Sequence, residues 1–335
     1  MREGYEWILS ASVDGVPVGR LLGAAAALEA AGDPEGAAAA LDQAHMLAPG
    51  DRAVAAERAR VLDGLAEIVH GLRFCYVPDG AFWMGSEDGD PDEQPVHVRC
   101  VGGLWVAEEP MTLAAFEDLM GWHGSVPAGD AHLREEGSGV RYHYSTVKDD
   151  DEPLPERPPE LTTPRRRAES NEKPMVASSY RAADAVAGRM ATADWRFRLP
   201  SEAEWEKAAR GGLVCKRYAW GDAPPTPEVC CFDEFVDFTI TETRKLPPNG
   251  YGLRAMCGSV WEWTTDRYDA LAYRSGRVDP AATERVLRGG SWADMAPAVT
   301  VSFRMSLAPS FEYGFDAPTV GFRLCAERIS PRRRR

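Results

Sequence analysis

Arg288-Gly-Gly-Ser-Trp292 and Gly321-Phe-Arg-Leu-Cys325 decide how this chain is read. Adjacent glycines at 289 and 290 allow a close backbone approach that any side chain would obstruct. Between the two stretches, residues 293–320 hold no cysteine and no histidine. The closing part of the chain therefore has a well-marked frame and lacks the side chains that most often perform thiol or metal chemistry.

Working outward, Gly258-Ser-Val-Trp-Glu-Trp263 places Trp261 and Trp263 two apart on an extended segment, with Glu262 on the other face. Ser201 followed by Glu204 is a capping box, so a helix starts there, turns Trp205 and Ala208-Ala209 inward, and ends at Gly211-Gly212. Other segments stand in order around these. Phe74-Cys-Tyr-Val-Pro-Asp-Gly-Ala-Phe-Trp-Met-Gly-Ser86 precedes an acid-rich loop and Pro95-Val96-His97. A turn at Pro110 leads to a helix expected from Thr112 through Phe116. Pro174-Met-Val-Ala-Ser-Ser-Tyr-Arg-Ala-Ala-Asp184, Tyr218-Ala-Trp-Gly-Asp222 and Asn249-Gly-Tyr-Gly-Leu253 complete the series.

Taken in order over residues 72–326, these segments resemble the formylglycine-generating enzyme (sulfatase-modifying factor) family. The resemblance implies an α+β, C-type lectin-like domain with little regular secondary structure. In active members, two cysteines after Gly-Gly-Ser hold copper and exchange with the substrate thiol, assisted by a serine. Carried over without gaps, the serine falls on Ser291, while the thiol positions fall on Asp294 and Val299. Copper(I) is a soft ion that needs soft thiolate ligands. The sequence therefore leans against catalysis, and copper is not expected. An iron site of three histidines, found in another branch, is not supported, because all six histidines precede residue 144 in unsuitable spacings. The family's calcium loop maps onto Ala255, Gly258, Val260 and Glu262. Its asparagine is lost, and Gly258, Val260 and Glu262 remain as the calcium candidates.

The 335 residues carry 52 acids against 38 bases, a net charge of −14. A backbone-binding nucleic-acid protein needs a basic surface, so nucleic acid is not the expected partner, and a basic protein or peptide fits better. Ten Trp, 31 Gly and 25 Pro favour a turn-rich domain pinned by aromatics. Neither a signal peptide nor a membrane span is apparent, which gives a cytoplasmic expectation without membrane association. Seven scattered cysteines suit reduced, buried thiols.

Residues 1–71 read as a helical prefix. Leu21, Leu22, Ala25 and Leu28 form one apolar stripe, broken at Gly32-Asp33-Pro34. Ala37, Ala40, Leu41 and Ala44 form a second, ending near Pro49-Gly50. A third helix is expected from about Asp51 to His70, with Arg58 bordering its apolar face. The set resembles a tetratricopeptide-type hairpin with a capping helix. It reads either as a peptide-docking element or as a prefix packed on the main domain, residues 72–327. Residues 146–170, with Asp149–Glu152 and Arg165–Arg167, read as a linker, and 328–335 as a basic tail.

Three functional readings follow. The first is a non-catalytic protein-binding module whose surface lies in residues 292–320. Its candidates are Trp292, Asp294, Met295, Arg304, Phe311, Glu312, Tyr313, Phe315 and Asp316, since aromatic and Met side chains on scaffolded loops suit recognition. Phe303 and Phe322 are the expected core members. Lectin-like variable proteins and immunity-type proteins are the relatives this reading resembles. The second is a residual oxidase or sulfatase-maturation enzyme with altered chemistry, using Ser291, Asp294, Arg304 and Arg323. The third is a regulatory scaffold acting through the N-terminal helices.

Overall fold

The computed structural model describes residues 18–120, 172–176, 178–233, 240–309 and 319–329. Three helices come first: α1 (Val18–Ala30), α2 (Pro34–Leu47) and α3 (Arg52–Asp63). Each turn between them is chemically specified. Asp33 caps α2 by accepting from Gly36 N–H, with Pro34 pre-set for the first helical position. Asp51 caps α3 through the Ala53 and Val54 N–H groups.

The third helix is shorter than its apolar spacing predicts. It stops at Gly64, and Glu67–Val69 forms strand β1, paired antiparallel with β2 (Leu72–Val77). Leu65 fits helical spacing but is a buried junction residue whose carbonyl accepts from Trp105 Nε1 at 2.9 Å. The sheet thus begins before residue 72.

Strands β3 (Gly80–Met84), β4 (His97–Val101) and β5 (Leu104–Ala107) follow, then α4 (Leu113–Met120), α5 (Tyr180–Met190), β6 (Trp195–Arg198) and α6 (Glu202–Arg210). The second half holds a 3-10 turn at Thr243–Lys245, β7 (Trp261–Arg267), the short α7 (Ala272–Ser275), β8 (Arg285–Arg288), β9 (Arg304–Leu307), β10 (Val320–Gly321) and β11 (Cys325–Arg328). A five-stranded sheet runs β1-β2-β5-β11-β6, a four-stranded one β10-β7-β8-β9, and β3 pairs with β4. β11 sits between β5 and β6, so the end of the domain closes the sheet that its beginning opened.

The capping box forms as its sequence predicts. Ser201 Oγ accepts from Glu204 N–H, and Glu204 accepts from Ser201 N–H at 2.7 Å. Gly211 ends α6 in the left-handed region, where glycine carries no Cβ penalty. Trp205, Ala208, Ala209, Trp263 and Phe322 are buried in one continuous core that also includes Ala25, Leu41 and Val61 of the helices.

Besides this shared core, a buried arginine ties the helices to the domain. Arg58 Nε donates to Asp42 at 2.8 Å, while its other nitrogens donate to the Gly211 and Gly250 carbonyls at 3.0 and 3.2 Å. Tyr251 donates its hydroxyl to the second Asp42 oxygen, and Arg58 lies over its ring. Arg58 was expected to border the helix face; it is instead buried at the junction. Among the described residues, no helix is long and apolar enough to cross a membrane.

Candidate functional site

β7, β8 and β9 carry the frame of the site. Gly289 and Gly290, directly after β8, have φ values of 101° and 75°. A Cβ on Gly289 would lie 3.0 Å from the Trp205 ring, and one on Gly290 would lie 2.7 Å from Val299 Cγ1 and 2.8 Å from the Ala298 carbonyl. Both positions therefore require glycine for close approach as well as for backbone conformation. The turn is stitched to its neighbours by Gly258 N–H to Gly289 O, Trp292 N–H to Ser259 O and Asp233 N–H to Asp294 O.

Two of the expected positions come together in this turn. The Asp294 carboxylate accepts from the Ser291 N–H at 2.9 Å and from the Ser291 hydroxyl. Ser291 is buried, and its Oγ also accepts from the Ala293 N–H at 3.2 Å, closing a local ST-type turn. Val299, at the second thiol position, is 0% exposed and packs against Gly290. The cysteines that flank the segment in sequence, Cys257 and Cys325, are both buried, and burial pushes the Cys257 thiol up to about 12. The nucleophile and soft ligand is the thiolate, so these thiols are poor substitutes for the missing pair.

The structure corrects several recognition candidates. Trp292 is only 2% exposed and belongs to a small core with Val176, Ile240, Leu246 and Val260. Arg304 was expected on the surface, but its side chain is enclosed. It donates to Glu202 at 2.7 Å and to the Asp92 and Asp269 carbonyls, with its guanidinium over Tyr268 and Tyr273. Met295, by contrast, is 62% exposed at the tip of the turn. Phe303 packs partly buried against the core beside Trp261, and Phe322 is fully buried. Phe311, Glu312, Tyr313, Phe315 and Asp316 lie outside the described residues.

Glu262 has a guanidinium where a cation was expected. Arg323 donates to both Glu262 oxygens at 3.0–3.2 Å, and Trp205 Nε1 donates to Oε2 at 2.7 Å. A carboxylate filled in this way is a satisfied structural ion pair, and binding calcium through it would first require removing Arg323. Gly258 is held for a packing reason: its φ is 72°, and a Cβ there would lie 2.3 Å from Cys231 O. Val260 is buried in the small core beside Trp292. Arg323 also donates to the Ala107, Glu108 and Arg254 carbonyls, which leaves it little freedom for chemistry.

Beneath the turn lies a buried charge network that joins residues far apart in the chain. Arg288 pairs with Glu206 and donates to the Val301, Ser302 and Phe303 carbonyls. Arg210 pairs with Glu206 across one helical turn of α6 at 2.6 Å. Burial alone would raise the Glu206 pKa, but Arg210 and Arg288 outweigh it and hold the carboxyl below its ordinary value. The (i, i+4) spacing of Glu206 and Arg210 was the one visible signal.

The comparisons agree with this architecture. The family described as "Sulfatase-modifying factor enzyme 1-like domain" matches residues 69–328. The formylglycine-generating enzyme of Streptomyces coelicolor is 31% identical over 246 residues, covering 64% of this chain and 77% of that protein. A protein named serine/threonine-protein kinase pkn1 from Chlamydia pneumoniae is 28% identical over 262 residues, covering 76% of this chain, but the chain spans only 38% of that protein's length. Treponema denticola variable protein 1 shares the fold, with a TM-score of 0.53 at 18% identity, covering 78% of this chain and 97% of that one. With its sheet order, its double-glycine turn and a match over residues 69–328, the chain belongs to the sulfatase-modifying factor family.

Proposed function

We propose that this chain is a non-catalytic protein-binding module on the sulfatase-modifying factor scaffold. The observation that carries the reading is the state of the two thiol positions. Asp294 is engaged by Ser291 in a local turn, and Val299 is buried against Gly290. A hard carboxylate and an aliphatic side chain supply no soft ligand pair. The binding surface is the tip of the turn around Asp294 and Met295, together with Phe311, Glu312, Tyr313, Phe315 and Asp316. Trp292 and Arg304 support it from below. The likeness to a variable protein at the level of the fold supports a display role for this face. The net charge of −14 favours a basic partner.

The test pairs an activity assay with a binding assay. The purified protein is expected neither to bind copper(I) at two-thiol affinity nor to convert a sulfatase-type cysteine peptide. Either result in the positive would overturn the non-catalytic reading. In affinity capture, a Phe311→Ala/Tyr313→Ala/Phe315→Ala variant is expected to lose partners that the intact chain retains. A variant that kept all of them would place the surface elsewhere.

A further inference from the structure

A cavity of about 240 Å³ opens on a different part of the domain, at the junction of the β1–β2 turn, the end of β5 and the 3-10 turn. Its apolar lining comes from Leu72, Ala107, Pro110, Met111 and Leu324. Its charged lining is three guanidinium groups, Arg73, Arg244 and Arg254, against two carboxylates, Glu108 and Glu109. None of these residues lies within residues 292–320.

The charges are held in place. Arg254 donates Nε to Glu108 at 2.8 Å and Nη1 to the Leu246 and Arg244 carbonyls. Arg244 donates Nε to Glu109 at 2.8 Å, and Arg73 Nε stands 3.8 Å from Glu108. Among the described residues, the Nη2 group of Arg254 has no partner. The walls are tied by Glu108 N–H to Arg73 O, Arg254 N–H to Glu108 O and Ala107 N–H to Leu324 O, so the site is formed before anything enters it. Arg73 also meets Asp63, and Arg244 meets Glu172 at 3.5 Å. In both pairs the arginine and the acid are exposed, so solvent screens these contacts, and Arg254 is the least exposed of the three cations.

We infer that this cavity binds a small monocarboxylate carrying a short apolar body. One cation in excess over the lining acids suits a single negative charge. A guanidinium with a spare nitrogen is the side chain best shaped for a carboxylate. Leu72, Pro110 and Met111 offer the rest of the ligand apolar contact, in the usual manner of a small-molecule pocket. A phosphate, with more charge and no apolar body, matches neither property. The inference is independent of the binding-module reading, because no residue is shared.

The experiment is calorimetric titration of the full chain with N-acetyl-leucine and, separately, N-acetyl-leucinamide. The acid is expected to bind with a dissociation constant of about 1 mM or tighter, and the amide is expected not to bind. Arg254→Met is expected to weaken the acid about tenfold or more, the size of a lost charged hydrogen bond. Arg244→Met, at the exposed rim, perturbs folding least and decides the matter if Arg254→Met does not fold. It too must weaken binding. Equal binding of acid and amide, no binding of either at about 10 mM, or undiminished binding by the folded variants would each overturn the assignment.

Discussion

The helical region and the closing segment are both anchored by buried arginines that donate to backbone carbonyls, but their surroundings differ. At the helical junction, Arg58 meets one carboxylate, Asp42, and beside it lies His45 with a buried Nδ1 that has no partner among the described residues. Under the closing segment, Arg288 and Arg304 meet Glu206 and Glu202 of α6, and Arg210 adds a third cation. The first junction therefore contains a titratable group left unsatisfied. The second is a network of three arginines and two glutamates, and its orphaned atom among the described residues, Arg288 Nε, belongs to a guanidinium that stays protonated. The contrast suggests a rigid floor for the closing turn and a helical attachment that depends on pH.

Removing Arg288 should break this comparison most severely. Arg288→Met leaves Glu206 partly uncompensated and three carbonyls without a donor, at an expected cost of about 5 kcal/mol, the upper end for a buried pair. Urea unfolding measures it, and a loss below about 1 kcal/mol would mean that the network is solvent-screened after all. Arg58→Met should cost about 3 kcal/mol, less because Tyr251 still donates to Asp42. Limited proteolysis should then cut near Gly64 before the rest of the domain yields. If the variant unfolds in one step with no early cut, the helices are not separable from the domain.

Titration tests the proposed pH difference. Burial first, and then Arg58, lower the His45 pKa from 6.5, while Asp42 partly opposes them. The folded state thus prefers the neutral ring. Its stabilising contribution is complete above about 6.5 and is lost as pH falls through the lowered value. Melting temperatures should decline more steeply with acid for the parent chain than for His45→Gln. Parallel curves would remove His45 from the account. The smallest effect belongs to Asp294→Ala, which loses the acceptor for the Ser291 N–H and hydroxyl. It should cost about 1 kcal/mol in thermal unfolding, with the rest of the network intact.

Much of the frame was legible because its determinants are local. Ser201 and Glu204 are three residues apart, Asp33 and Asp51 adjoin the helices they cap, and Gly211 follows the helix it ends. The helix overrun past Asp63 shows where local reasoning fails: Leu65 and Val69 keep a helical spacing, while the tertiary pairing of Glu67–Val69 with β2 decides the outcome. The candidate site was less legible. Arg288 finds Glu206 82 residues away, and Arg323 finds Glu262 61 residues away. No spacing rule encodes such a partner. Trp292 and Arg304 looked like contact residues by type, and burial assigned them to the interior.

The two glycines after β8 have a further consequence. With Trp205 and Val299 packed over them, positions 289 and 290 cannot accept a side chain, whereas Met295 and its exposed neighbour Pro297 stand clear of the core. Substitutions at such clear positions usually change stability by less than about 0.5 kcal/mol. Mutation is thus penalised at the foot of the turn and nearly free at its crest. A lineage could rewrite the crest residue by residue, altering what it meets, without ever passing through an unfolded ancestor.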